Sequence, residues 1–164
     1  MLIGGLQKLT LIDYPGKIAA TVFSIGCNFT CSFCHNPELV DVKKIKKQPI
    51  ISEKVFFDFL KTRQKDLEGV CITGGEPTLH KDLPEFIKKI KEMGFAVKLD
   101  TNGTNPKMLE ELINEKLVDY IAMDIKCPLK RYPQMSNRKV NLKDIKKSVR
   151  LIKDTDDYEF RTTI

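Results

Sequence analysis

The stretch Ile18-Ala19-Ala20-Thr21-Val22-Phe23-Ser24-Ile25-Gly26-Cys27-Asn28-Phe29-Thr30-Cys31-Ser32-Phe33-Cys34-His35-Asn36-Pro37 decides how this chain is read. Ile18 to Phe23 is apolar and partly β-branched, and Ser24 and Gly26 break the run, as expected of a buried strand. Directly behind it stand three cysteines at C-x3-C-x2-C spacing, with no fourth in the loop. Three thiolates from one loop can hold three irons of a cubane cluster, whose usual cysteine count is four. The remaining iron is then open to an outside ligand, and an open iron is a place for chemistry. A structural zinc ion is the alternative, with His35 completing a Cys3His set. Adjacent Cys34 and His35 would chelate one ion poorly, so ligand chemistry favours the cluster.

Composition bounds the rest. The chain has 164 residues, 41% apolar and 30% charged, enough for one soluble domain (1–164) with its own core. No apolar run approaches the roughly 18 residues of a membrane span. The N-terminus lacks the basic-then-apolar pattern of a secretory signal, which makes the cytoplasm the expected location. Five cysteines, an odd number, argue against a disulfide framework and for a reducing compartment. The net charge of +6 is partly clustered in Lys43-Lys44-Ile45-Lys46-Lys47 and at Lys143, Lys146 and Lys147. No aromatics are interleaved with these lysines, so they read as a solvated surface rather than a nucleic-acid patch.

Along the chain, strands are expected at 18–23, 70–73, 96–99, 120–125 and 158–164. Helices are expected between them. Ser52 caps one with Val55, Phe56, Phe59, Leu60 and Leu67 on its inner face. Leu83, Phe86, Ile87, Ile90 and Met93 mark a second, ended by Gly94. Asn105-Pro106 opens a third, and Asn141 a fourth with Leu142, Ile145, Val149 and Ile152 inward. This alternation predicts an α/β fold of parallel strands. The cysteine loop, Gly74-Gly75-Glu76-Pro77, Thr101-Asn102-Gly103 and Asp124-Ile125-Lys126 all fall at C-terminal strand ends, where βα architectures gather their sites. Cys71, in mid-strand, reads as a core residue. Cys127 would block the open iron if it were a fourth ligand, so it is not assigned as one. His80 is expected to face solvent.

Taken with Asp13-Tyr14-Pro15-Gly16-Lys17, Thr73-Gly74-Gly75-Glu76-Pro77, Asp100-Thr101-Asn102-Gly103 and Met123-Asp124-Ile125-Lys126, the cysteine loop makes the chain resemble the radical S-adenosylmethionine (SAM) enzymes. Within them it is most similar to the activating proteins of glycyl-radical enzymes, those of anaerobic ribonucleoside-triphosphate reductase and pyruvate formate-lyase. The resemblance implies a partial (β/α) barrel, here with the last βα unit missing. It implies a 4Fe-4S cluster on Cys27, Cys31 and Cys34, with SAM chelating the open iron and cleaved reductively. It also implies that Phe33 and His35 lie near the adenine, and that the backbone of Gly74 and Gly75, with Glu76, Thr101 and Asn102, holds the rest of SAM. Asp100 and Asp124 would frame a monovalent cation near the SAM carboxylate, with Lys126 at the same rim. Asp13 would meet the incoming glycyl loop. Expected partners are a glycyl-radical enzyme and an electron donor such as flavodoxin or ferredoxin. Two other functions stand beside this one: a radical SAM enzyme for a small molecule or modified base, such as a deazapurine-forming enzyme, and a zinc-bound interaction module.

Overall fold

The outward-facing positions of the central strands dictate where the helices go. In the computed structural model, which describes residues 1–46 and 48–162, six strands form one sheet: β1 (Ile3–Thr10), β2 (Ala19–Ser24), β3 (Gly69–Gly74), β4 (Ala96–Thr101), β5 (Tyr120–Asp124) and β6 (Tyr158–Arg161). They lie side by side in chain order, as in an incomplete barrel. Helices α1 (Val42–Ile45), α2 (Glu53–Lys61), α3 (Leu83–Glu92), α4 (Pro106–Asn114), α5 (Tyr132–Ser136) and α6 (Leu142–Lys153) fill the connections. Ala20, Val22, Val70, Ile72, Val97, Leu99, Ile121 and Met123 share one core with Phe56, Leu60, Phe86, Ile87, Leu109, Leu112, Ile145 and Ile152 from the helices. Burying each such side chain stabilises the fold by about 1.5–3 kcal/mol. Asn105 caps α4 by accepting from Met108 N, and Pro106 fills the first turn, as the sequence indicates.

The alternate positions face the other way. Thr21, Cys71 and Lys98 stand in one row across β2, β3 and β4, and Asp100 with Ala122 in the next. Strands β2 to β4 therefore have a more polar inner face, with Thr21, Lys98 and Asp100 on it.

Five expectations need correction. Strand β1, two glycines long in its first half, escapes the sequence reading because glycine weakens strand propensity. It is antiparallel to β2, so the sheet is mostly rather than wholly parallel. Its Gly4 is needed for close approach: a Cβ there would lie 2.5 Å from the Leu39 side chain. Val55 is exposed, because Phe56 and Leu60 define the inner line of α2; Leu67 is buried from beyond that helix. The last strand ends at Arg161, and Thr163 and Ile164, like Lys47 in the lysine cluster, lie outside the described residues. His80 does not face solvent: half-buried, its Nε2–H donates to Ile25 O at 2.9 Å and ties the turn after β3 to the exit of β2. Finally, β1 runs down to the far edge of the sheet. The following loop, with Asp13, thus sits at the N-terminal edge, where Asp13 accepts a hydrogen bond from Thr21 Oγ1 at 2.6 Å.

Burial holds the His80 imidazole below its ordinary protonation range. The unfolded chain, protonating near pH 6.5 as usual, then binds more protons than the folded one as pH falls through that range. Stability should accordingly drop on going from pH 7.5 to 5.5. His80→Gln, which keeps a donor for Ile25 O but cannot be protonated, should flatten this slope. Urea midpoints of both proteins across that range provide the check.

Candidate active site at the C-terminal edge of the sheet

The exits of β2 and β3 run against each other so closely that only glycine fits. Gly75 N donates to Ser24 O at 2.9 Å and Glu76 N to Gly26 O at 2.7 Å. A Cβ on Gly75 would lie 2.0 Å from Gly26 O, and one on Gly74, at φ +104°, 2.6 Å from Ser24 N. The pair therefore docks two backbones together while leaving its own backbone bare on a cavity.

That cavity, about 390 Å³, is within the usual range for a small-molecule site. It is lined by Cys27, Cys31, Cys34, Phe33 and His35 on one side and by Gly74, Gly75 and Glu76 next to them. Asp100, Thr101, Asn102, Asp124, Lys126 and Arg161 complete it. All the expected site residues meet there except Asp13. Its partner Thr21 is three residues, about 10 Å at strand rise, below Ser24, where the cysteine loop leaves the sheet. Its antiparallel predecessor carried it away from the rim, so the contact with an incoming loop expected for it has no support in this geometry.

The cysteine loop is held at several points. Gly26 N donates to Leu39 O (2.8 Å), Cys34 N to Cys31 O (3.2 Å), and Phe29 N to Cys27 Sγ (3.3 Å). Asn102 Nδ2 donates to Asn28 Oδ1 at 2.9 Å, and Asn28 Nδ2 to Thr104 Oγ1 at 2.8 Å, locking the loop to the end of β4. From α5, Ser136 O accepts Thr30 N at 3.0 Å, and Met135 Sδ lies 3.5 Å from Cys31 Sγ. Phe29 is buried in the core beneath.

Burial pushes the Cys27 thiol up to about 12 and raises that of Cys31, against which Lys126 pulls down. Metal binding must displace these protons. Among the described residues no group of three or more His, Cys, Asp or Glu side chains converges as one metal ion requires. A cubane takes its thiolates on three separate irons, so three thiols around one cavity fit that group without converging.

Glu76 is 1% exposed. Oε1 accepts from Thr78 N at 3.2 Å, from Thr78 Oγ1 and from Thr101 Oγ1 at 2.7 Å, and Oε2 accepts from Asn102 N at 2.6 Å. Burial pushes its carboxyl above the ordinary range while these donors pull it down. With both oxygens engaged by the chain itself, it braces the β3 loop against β4.

Asp100 and Asp124 do share one patch, and sequence reading missed two of the cations between them. Arg161 Nη1 lies 3.2 Å from Asp100 Oδ2 and its Nε 3.1 Å from Asp124 Oδ1. Lys98, 1% exposed, donates to Asp100 Oδ1 at 2.6 Å; Lys126 donates to Asp124 Oδ2 at 2.8 Å. A lysine and an arginine at inward strand positions were the available signal: Lys98 is two residues before Asp100, and Arg161 stands opposite Asp124 in the parallel register. Cys127 is absent from the cavity lining, and Cys71 is buried in β3 as expected.

Comparison with known proteins places this geometry. A model of the Radical SAM superfamily matches residues 21–157. A Methanocaldococcus jannaschii protein named as a glycyl-radical enzyme activating enzyme is 40% identical over 156 residues, covering 93% of this chain and 62% of that protein. The pyruvate formate-lyase-activating enzyme of Clostridium pasteurianum is 31% identical over 132 residues, 76% of this chain and 52% of its own length. The chain thus spans roughly half to two-thirds of these relatives. The structure of anSMEcpe with AdoMet bound aligns with a TM-score of 0.61 at 20% identity, over 84% of this chain and 40% of that one, and shows the common fold.

Removing Arg161 should leave Asp100 and Asp124 under-compensated. Because its side chain is 39% exposed, solvent screens part of the loss, and Arg161→Ala is expected to cost about 1–2 kcal/mol. Adding Asp124→Asn should recover part of that cost, giving a favourable coupling in a double-mutant cycle read by urea unfolding.

Proposed function

The chain belongs to the radical SAM superfamily, and from that premise we propose that it is an activase that cleaves S-adenosylmethionine reductively and generates a glycyl radical on a partner enzyme. The observation that carries this is the meeting of three loop cysteines, without a fourth, with the glycine-lined backbone and the aspartate pair in one cavity. The names of the relatives support the glycyl-radical direction. The first candidate partner is anaerobic ribonucleoside-triphosphate reductase, with flavodoxin or ferredoxin as electron donor.

Cys27, Cys31 and Cys34 would hold a 4Fe-4S cluster and leave one iron for the methionine end of SAM. When bound, these groups would together supply the radical chemistry that takes a hydrogen atom from a glycine Cα. The chain's own contribution is placement. The backbone at Gly74 and Gly75 offers carbonyls to an ammonium, and Arg161 and Lys126 offer positive charge to a carboxylate. Phe33, 37% exposed at the mouth, offers a ring face to the adenine. Asn102 fixes the cysteine loop through Asn28. A monovalent cation beside Asp100 and Asp124 would have to displace Arg161 or Lys126, which already compensate them.

Anaerobically reconstituted protein should load about four irons. Cys27→Ala, Cys31→Ala or Cys34→Ala should each abolish SAM cleavage, whereas Cys71→Ala and Cys127→Ala should keep the cluster. Incubation with the reductase should give a glycyl-radical signal in electron paramagnetic resonance that needs both proteins. SAM cleavage driven by a small molecule, with no such signal on any partner, would favour the small-substrate reading. Stoichiometric zinc without iron uptake would sink both.

Asp124→Asn should slow cleavage with iron content unchanged, since neither aspartate is placed as a cluster ligand. If a cation joins the pair, rates should differ between potassium and lithium chloride. Equal rates in all salts would remove the cation from the scheme, and an unaffected mutant would remove Asp124.

A further inference from the structure

The connection from β5 into the first turn of α6 is basic and free of acidic residues. Residues 125–143 hold six basic side chains (Lys126, Lys130, Arg131, Arg138, Lys139, Lys143) and no acidic one. Lys130, Arg131, Arg138 and Lys139 are exposed. None of these four makes an ion pair among the described residues. A solvated charge run would ordinarily end the matter, but this segment also touches the cysteine loop. Ser136 O accepts from Thr30 N at 3.0 Å, Met135 Sδ stands 3.5 Å from Cys31 Sγ, and Lys126 Nζ lies 6.0 Å from the Phe33 ring centre. Met135 is itself only partly buried. One short segment therefore carries both the exposed basic residues and the contacts to the thiol side of the cavity.

Resting on the proposed function, which needs an electron from outside the chain, we infer that residues 128–139 are the docking surface for an acidic electron-transfer protein. The complement of an acid-free basic patch is an acidic surface, and rim charges of this kind raise association rate more than affinity. Docking there brings the donor's redox centre close to Cys31, with the thioether of Met135 in between. One electron leaves the donor's reduced flavin, which is oxidised by one. It arrives on the cluster, which is reduced by one. No bond forms or breaks in this chain.

The test compares two reductants of the reconstituted full chain: reduced flavodoxin, a small acidic protein, and photoreduced deazaflavin, a small molecule needing no docking surface. In the variant Lys130→Glu/Arg131→Glu/Arg138→Glu/Lys139→Glu, cluster reduction by flavodoxin should slow by about tenfold or more at low salt. The wild-type rate should fall between about 0.05 and 0.3 M salt, and the variant should lose that dependence. Reduction by deazaflavin and iron content should not change. The four-glutamine counterpart, which keeps the side-chain length without reversing charge, should show intermediate slowing. An unchanged flavodoxin rate overturns the inference, and so does equal slowing with both reductants. Lost binding to a single-stranded RNA with an unchanged flavodoxin rate overturns it too, assigning the patch to nucleic acid. If the wild-type chain takes up a cluster and cleaves SAM with deazaflavin, yet the charge variants are reduced by flavodoxin at the wild-type rate, this inference alone is lost. A chain that takes up no cluster fails the proposed function itself.

Discussion

A single buried carboxylate organises the working edge of this protein. Placing Glu76 out of water is costly unless its charge is met by donors, and the chain meets it with three side-chain or backbone groups from Thr78 and Thr101 and with Asn102 N. Each of those donors is itself at a strand exit. Satisfying the carboxylate therefore fixes the distance between the β3 and β4 loops, and Asn102 carries that position on to Asn28 in the cysteine loop. Glu76 N to Gly26 O completes the ring at β2. The cavity keeps its shape because parting the β3 and β4 loops would leave the buried Glu76 carboxyl without its donors.

The second principle is compensation on the inner face of the sheet. Asp100 and Asp124 would repel one another in a site of reduced polarity. Lys98 from below, Arg161 between them and Lys126 at the rim offset that repulsion. Because Lys98 is almost fully buried and Arg161 is not, the three cations differ in their freedom to reorganise. Lys98 anchors Asp100, and the other two retain reach into the cavity.

Much of this was legible in the sequence because the relevant signals are local. Alternating strands and capped helices placed four motifs on one edge, and the cysteine spacing announced itself. What escaped depended on partners far along the chain. Strand β1 exists because β2 pairs with it, not because Ile3-Gly4-Gly5-Leu6 favours a strand. Asp13 is expected by resemblance to meet an incoming loop, and nothing near it in the sequence reveals that the strand before it is antiparallel. Arg161 became visible only once β6 was set in register beside β5. His80 read as an ordinary surface residue until the turn after β3 folded it onto Ile25 O. Glu76 lines the cavity, but its donors come from two loops, so its bracing role cannot be read from Gly-Gly-Glu-Pro alone.

The bond between Thr30 and Ser136 spans 106 positions, and this has a bearing on how the protein is made. On the ribosome, β2 and the cysteines emerge long before α5, the segment that clamps them. Closing so long a loop is entropically slow relative to local helix formation. During vectorial synthesis the nascent cysteines are thus left without their final support until Ser136 has emerged. Thiols in that interval are open to oxidation and to capture of stray metal ions. Maturation is accordingly best timed after this segment has emerged, when Ser136 is bound to Thr30 and the cysteine loop is held.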